Sequence, residues 1–277
     1  MLTPCARISI LAGLLCTASV CRADFQLVES LSIPPFNSLA RGDGQWHAAG
    51  ITGWWTVDDS FSAPYAMTVA SGSFNVLELA YDGAHNRMVL LEFSTGEVRF
   101  HGMDGSFQSS FDTGLVSANG LARDPRDGSL WVSNFSGFVR HYSESGSLLS
   151  GFNAGMLLSG LTFDPRSDSL LVLRADGPGG FGGPLDDELW EYSTAGANLG
   201  RLWSSGEIPG NGHGLEYLPD EGKLYVKSGV NPQQPTAPYN ATRIYQDLGR
   251  IPEPPTAAGA LVTMAAVGAW RMRRRIG

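Results

Sequence analysis

Cysteine is scarce in this 277-residue chain, and the three present (Cys5, Cys16 and Cys21) all fall within the first 23 positions. A body that begins after them has no thiol. That excludes disulfides, a cysteine nucleophile and a thiolate metal site. Charge is also sparse, at 17% of residues against 43% hydrophobic. Recognisable catalytic motifs are missing as well: there is no G-x-S-x-G elbow, no H-E-x-x-H pair and no phosphate-cradling glycine loop. His47, His85, His101 and His141 are scattered among unrelated contexts. No catalytic constellation is expected.

Basic residues are fewest of all once the ends are set aside. Two arginines (Arg7, Arg22) lie in the first 23 residues and four (Arg271, Arg273, Arg274, Arg275) at the C-terminus. That leaves 13 basic against 27 acidic residues, about −14, for residues 24 to 270. Such a body repels phosphate backbones, so nucleic acid is excluded as a partner. Glycine and proline, in contrast, are abundant (35 and 16) without any Gly-X-Y period. Tight turns are the reason, and many tight turns in a chain sized for one domain point to an all-β fold.

Both ends read as sorting devices. Residues 1–23 carry one early cation (Arg7), an apolar run from Ile8 to Val20 and small residues at Cys21 and Ala23. These are the parts of a secretory signal peptide cut after Ala23. The run is too short for a membrane anchor. Leu15 before Cys16 and Val20 before Cys21 are too bulky for a lipid-attachment site. At the other end, Pro252, Glu253 and Pro254 precede fifteen uncharged residues (Thr256 to Trp270) and then Arg271, Arg273, Arg274 and Arg275. Prolines stop any regular element, the apolar run partitions into lipid, and the arginines stay on the cytoplasmic side. Fifteen residues make about 22 Å of helix, a marginal span suited to a temporary transmembrane anchor.

Triplet, apolar run and arginine cluster together resemble the PEP-CTERM sorting signal of Gram-negative bacteria that make extracellular polysaccharide. The resemblance covers residues 251–277, with Ile251 where valine is usual. It implies recognition by an exosortase-type membrane protease, an inner-membrane intermediate, and delivery to the cell surface or extracellular matrix. The alternative is an ordinary single-span anchor.

Between these signals the chain repeats. NSLARGDGQWHAAG from Asn37, NGLARDPRDGSLWVSN from Asn119, SGLTFDPRSDSLLVLR from Ser159 and HGLEYLPDEGKLYVKS from His213 share a polar entry, a leucine, a strand, a turn and a second strand. LELAYDGAHNRMVLLE from Leu77 keeps the rhythm without the polar entry. Aligned on Leu39, Leu79, Leu121, Leu161 and Leu215, the offsets are 40, 42, 40 and 54. The last is lengthened by a Gly/Pro-rich insertion between Asp176 and Glu188. A period near 40 in an all-β chain marks propeller blades. Two further strands follow each pair, except that the final repeat offers only RIYQDL. The spare strand FQLVESL at residues 25–31 is expected to pair with residues 242–248 and close the ring. The expected layout is thus a signal peptide (1–23), a β-propeller of five four-stranded blades (24–250) and a sorting tail (251–277). Six blades or a two-sheet sandwich are the alternatives. The Asn119 segment resembles NHL-type and gluconolactonase-type propellers in blade grammar.

The position two before each aligned leucine is expected to recur around one mouth of the channel. It holds Asn37, Leu77, Asn119, Ser159 and His213. Four polar side chains there suit a small polar ligand or, with water, a divalent cation; no other cofactor is expected. The gluconolactonase resemblance implies a metal-ligand role for Asn119, but no matching acidic ligand, second Asn and catalytic Asp accompany it. Asn and Ser at strand starts also serve to satisfy main-chain groups. Asp176, Asp186, Asp187 and Glu188 in the insertion match neither an EF-hand nor a repeat-in-toxin calcium loop and read as solvated charge. Trp54, Trp55 and Tyr65 suit either sugar stacking or the core between blades. Two functions stay open: an exported, non-enzymatic binding module for matrix polysaccharide or another exported protein, and a metal-dependent lactonase or related hydrolase.

Overall fold

The computed structural model describes residues 25–32, 36–50, 52–59, 61, 66–72, 75–174, 188–203, 212–228 and 241–247. Within them the chain is all β, in five four-stranded antiparallel sheets. Blade one is β2 (Leu39–Gly42), β3 (Gln45–Gly50), β4 (Gly53–Val57) and β5 (Ala66–Val69). Blade two is β6 (Val76–Asp82), β7 (Arg87–Glu92), β8 (Glu97–Gly102) and β9 (Phe107–Asp112). Blade three is β10 (Ala118–Arg123), β11 (Leu130–Asn134), β12 (Phe138–Tyr142) and β13 (Leu148–Asn153). Blade four is β14 (Leu158–Asp164), β15 (Ser169–Arg174), β16 (Glu188–Ser193) and β17 (Asn198–Trp203). Blade five takes β18 (Gly212–Leu218), β19 (Lys223–Ser228) and β20 (Ala241–Asp247) from the end of the domain and β1 (Phe25–Ser32) from its beginning. The innermost strands β2, β6, β10, β14 and β18 contact one another in sequence around a closed ring.

Period-two alternation explains why these strands pack as blades. Successive side chains point to opposite faces, and in a propeller both faces of a blade meet a neighbour. The run Leu170 to Leu173 therefore splits: Leu170 and Val172 join Trp131 and Leu161 at the seam of blades three and four. Leu171 and Leu173 join Leu215 and Val226 at the seam of blades four and five. The aligned leucines are all buried, and each seam has its own apolar cluster. Truncating one of these leucines to alanine is expected to cost about 2–5 kcal/mol.

The turns follow from their residues. Asp43 and Gly44 both take positive φ (51° and 70°), the two-residue hairpin that their residue types favour. In blades two to four an aspartate at or just past the end of the inner strand accepts the amide two residues on: Asp82 from Ala84 (3.2 Å), Asp124 from Arg126 (2.9 Å) and Asp164 from Arg166 (3.0 Å). Pro125 and Pro165, which follow two of these aspartates, suit the turn as well. Close to the axis, a Cβ on Gly120 would sit 2.8 Å from that of Leu161, so glycine is what lets blades three and four approach there.

Charged bridges link the same turns across the seams. Arg123 reaches Asp82 (2.7 Å), Arg87 reaches Glu144, and Arg126 reaches Asp168 (2.6 Å). Arg166 meets the Tyr217 hydroxyl, which itself donates to Asp247 (2.8 Å). Asp247 ends β20 and pairs in register with Phe25 of β1, so this last bridge braces the ring closure.

The closure pairs Phe25 with Asp247 through to Ser32 with Ala241, interrupted by a bulge between Leu27 and Glu29. Five blades and the exchanged strand match the sequence expectation, and the pairing is antiparallel. The leader and the tail lie outside the described residues, and among those residues no helix is long and apolar enough to cross a membrane. Deleting residues 24–32 removes buried Phe25 from its seam and bares the edge of β20. Loss of that aromatic alone corresponds to about 3–5 kcal/mol, or roughly 10 °C in melting temperature. Calorimetry of the deletion variant should show at least that drop and a broadened transition.

Candidate functional site

The five positions two before the leucines do recur at one place, on or just before the innermost strands. In blades two to five each is the extra residue of a β-bulge, where the ladder skips between Val76 and Glu78, Ala118 and Gly120, Leu158 and Gly160, and Gly212 and Gly214. A bulge turns its residue out of the alternation. The consequence shows in the side chains. Asn37 donates from Nδ2 to the Val76 carbonyl of blade two (2.8 Å), and Asn119 donates in the same way to the Leu158 carbonyl of blade four. Both acceptors lie three residues before the next blade's leucine. The Asn119 Oδ1 accepts from the Ser133 hydroxyl (3.3 Å), so this buried amide is engaged at both ends. Ser159 is buried and turns to the Leu173 carbonyl of its own blade (3.5 Å). His213 has its main chain in β18, and its side chain lies outside the described residues. The two asparagines therefore tie neighbouring blades together at equivalent points.

One residue to either side of each leucine, a feature emerges that sequence reasoning missed. The preceding positions hold Ser38, Glu78, Gly120, Gly160 and Gly214; the following ones hold Ala40, Ala80, Ala122, Thr162 and Glu216. Each layer of the inner ring thus has four small residues and one glutamate. The signal was available in the repeat alignment, one column away from the residues singled out. These columns face the next blade: Ser38 Oγ accepts from the Leu79 amide (3.3 Å), Thr162 Oγ1 from the Tyr217 amide (3.2 Å), and Glu216 from the Arg41 amide (3.4 Å). Burial pushes the Glu78 carboxyl well above its usual range, with the Ser38 hydroxyl opposing and Glu216 adding to the rise. Glu216 is pushed up to about 8, again by desolvation, with the Arg41 amide opposing.

Two other clusters have structural roles. Asp82, His85 and Glu144 bring ligand atoms within 4.8 Å of one another. Two guanidinium groups are already there: Arg87 (2.8 Å) and Arg123 (2.7 Å) bind the buried Asp82. Burial opposes ionisation of Asp82, but His85, Arg87 and Arg123 outweigh it and hold the carboxyl low. Glu188, grouped with the acidic insertion on sequence, is the first residue of β16. It bridges Arg174 (2.8 Å) and Arg201 (2.7 Å), so its charge is paired across the blade rather than solvated in a loop. Asp176, Asp186, Asp187 and Tyr65 lie outside the described residues.

A cleft of about 490 Å³ opens over the seam where blade five meets blade one. Its floor is Trp46, Phe61 and Tyr225, with the Trp46 and Tyr225 ring centres 4.3 Å apart. Arg41 lies over Trp46 (5.3 Å), and Glu29 and Lys223 stand on its rim. Trp54 is fully buried at the seam of blades one and two, and Trp55 packs partly buried at the seam of blades five and one, so both serve the core.

Two outcomes follow. Asn119→Ala leaves the Leu158 carbonyl and Ser133 hydroxyl without their partner in a buried seam, an expected cost of about 1–3 kcal/mol in denaturant unfolding. His47 is 1% exposed, stacked on Tyr81 (5.9 Å), and neither ring nitrogen has a hydrogen-bond partner. Burial lowers its pKa from 6.5, with the nearby main chain of Gly42 and the charge of Asp43 opposing. The unfolded chain then binds the extra proton, so stability is complete above pH 6.5 and lost as pH falls below it. His47→Phe should flatten that acid limb in melts recorded from pH 8 to pH 5, a window set by the ordinary imidazole range of about 6.5.

No protein-family model matches the chain. No curated protein matches it by sequence. Among solved structures it is similar to a chain in the crystal structure of a nidogen/laminin complex, with a TM-score of 0.52 and 18% identity. The match covers 71% of this chain and 73% of the other. At that identity the likeness is one of fold, a β-propeller.

Proposed function

We propose that this chain is an exported β-propeller, carried to the cell surface or extracellular matrix by its two terminal signals, and that it serves there as a binding module. The observation that carries the reading is the position of the ends of the folded body. Phe25 lies opposite Asp247 at the edge of blade five. The leader ends just before the first, and the Pro-Glu-Pro tail begins just after the second. Removal of both segments leaves every blade its four strands. An exosortase-type membrane protease is the processing partner that the tail pattern of Pro252, Glu253, Pro254 and Arg271 to Arg275 calls for.

Matrix polysaccharide or another exported protein is the proposed ligand. The seam cleft, with an aromatic floor and polar rim, has the make-up of a site for a hydroxyl-rich chain. The nidogen/laminin neighbour is itself part of a protein complex, in keeping with an interaction role. No comparable observation favours the lactonase alternative: Asn119 would have to give up two protein hydrogen bonds to reach a metal.

Producing cells test the proposal. The exported form should begin near Asp24, contain none of the three cysteines by intact mass, and sediment with the extracellular polysaccharide. Exchanging Arg273, Arg274 and Arg275 for glutamine should leave leader removal unchanged and abolish surface delivery. Equal surface display of that variant would overturn the sorting half of the proposal. A wild-type body that stays free of both polymer and protein would overturn the binding half.

A further inference from the structure

The two glutamates of the inner ring, Glu78 buried and Glu216 partly buried, stand apart from the carboxylates buried elsewhere. Asp82, Asp124 and Asp164 each hold an arginine, and Glu92 is bonded by Ser94 (2.6 Å) and the Thr95 amide (2.6 Å). Glu78 is 2% exposed, and its Oε1 has no hydrogen-bond partner. A buried, ionisable oxygen with nothing to bond costs free energy unless a ligand supplies what the protein withholds.

Its surroundings locate it near the axis. Glu78 belongs to blade two, interacts with the Ser38 hydroxyl of blade one, and lies close enough to Glu216 of blade five to feel its charge. Glu216 in turn is held by the main-chain amide of Arg41 in blade one. The Arg41 side chain is directed elsewhere, to Asp59 and the face of Trp46. Two carboxylates from blades that flank blade one thus lie near enough for one charge to act on the other, the Glu78 carboxylate beside the Ser38 hydroxyl and the Glu216 carboxylate at the Arg41 amide, in layers whose other members are glycine, alanine, serine and threonine. Those small side chains leave the space that one long side chain per layer enters.

We propose that Glu78 and Glu216 form a binding site for a hard divalent cation, Ca²⁺, inside the propeller channel, with the Ser38 hydroxyl beside it. The ligand chemistry selects the ion class. Carboxylate and hydroxyl oxygens, with water and main-chain carbonyls, are the ligands that Ca²⁺ takes. Glu78 Oε1 gains the partner it lacks, and the charge repulsion between the two glutamates becomes shared attraction to one ion. Because the site joins blades five, one and two, occupancy braces the ring beside its closure. The site involves neither Asn37 nor Asn119, and it does not depend on the sorting or binding-module reading.

The purified protein, stripped with EDTA and titrated with CaCl₂ in a calorimeter, tests this directly. One ion per chain is expected, with a rise in melting temperature that EDTA reverses. Glu78→Gln and Glu216→Gln keep the side-chain shape without the charge. Each should weaken Ca²⁺ binding by at least about tenfold, and the double variant should abolish it. In EDTA both variants should melt no lower than the parent, since they remove repulsion. Asp186→Asn with Asp187→Asn, in the acidic insertion, should bind as the parent does. The proposal fails if the parent shows neither heat nor a melting shift. It also fails if the double glutamine variant binds unchanged, if the insertion variant alone loses binding, or if the glutamine variants unfold in EDTA.

Discussion

Seven main-chain pairings between the first strand and the last hold the ring shut, from Phe25 with Asp247 to Ser32 with Ala241. Each of the other blades is made from one continuous stretch and folds through local hairpins. Blade five alone requires residues more than two hundred positions apart to meet. Until they do, β20 has a bare edge and the Phe25 ring is missing from the cluster of Tyr217, Leu224 and Tyr245. Loop closure over that separation is costly in entropy but grows only slowly with length. A strand with a buried aromatic and a braced aspartate offsets it. The Tyr217–Asp247 bond and the Arg166 contact sit at the end of β20 where the pairing starts, which is where fraying would begin.

The seams are not equivalent, and their differences follow from the turns. Blades two, three and four have an aspartate at or just past the end of the inner strand, and the arginines nearby tie each turn to a neighbour. Blade one has the tight Asp43-Gly44 hairpin, and blade five has Leu218 where the aspartate would be. At the seam joining them, packing replaces ion pairing: Trp46 lies against Tyr225 and Phe61, with Leu39 and Ile244 beneath. Large flat side chains meet less neatly than leucine and valine. The cleft opens at this same seam, beside the strand that closes the ring.

The blade count and the exchanged strand were legible because both rest on spacing. A leucine that must fill a seam recurs at a fixed distance, and an insertion changes one offset without touching the register of the strands. Side-chain direction was less legible. Choosing the residue two before each leucine assumes unbroken alternation, which would keep that residue on the leucine's own face. The bulges at Leu77, Asn119, Ser159 and His213 break the alternation. Asn119 therefore reaches across to the next blade's carbonyl, and Asn37, which lies ahead of β2 and outside any bulge, does the same. Glu78 escaped notice for a related reason: it occurs in the one repeat that lost its polar entry, so its blade looked least like a site. Glu188 was read with the acidic loop because sequence shows where turn residues end only approximately, while its pairing with Arg174 across β15 and β16 makes it a strand residue.

The charge balance acquires a location once the bridges are known. Arg41, Arg87, Arg99, Arg123, Arg126, Arg166, Arg174, Arg201 and Lys223 all pair with carboxylates of the body. Arg140 is directed to the Thr113 carbonyl (2.6 Å). Most of the 13 basic residues between the two signals are therefore bound to carboxylates or carbonyls within or between blades, and 27 acidic residues leave the body with a net negative charge. A surface of that sign repels polyanions at a range set by the Debye length, about 8 Å at physiological salt. On this ground the polymer that the proposed module would engage is neutral or basic, since an acidic chain would meet a body of like net charge.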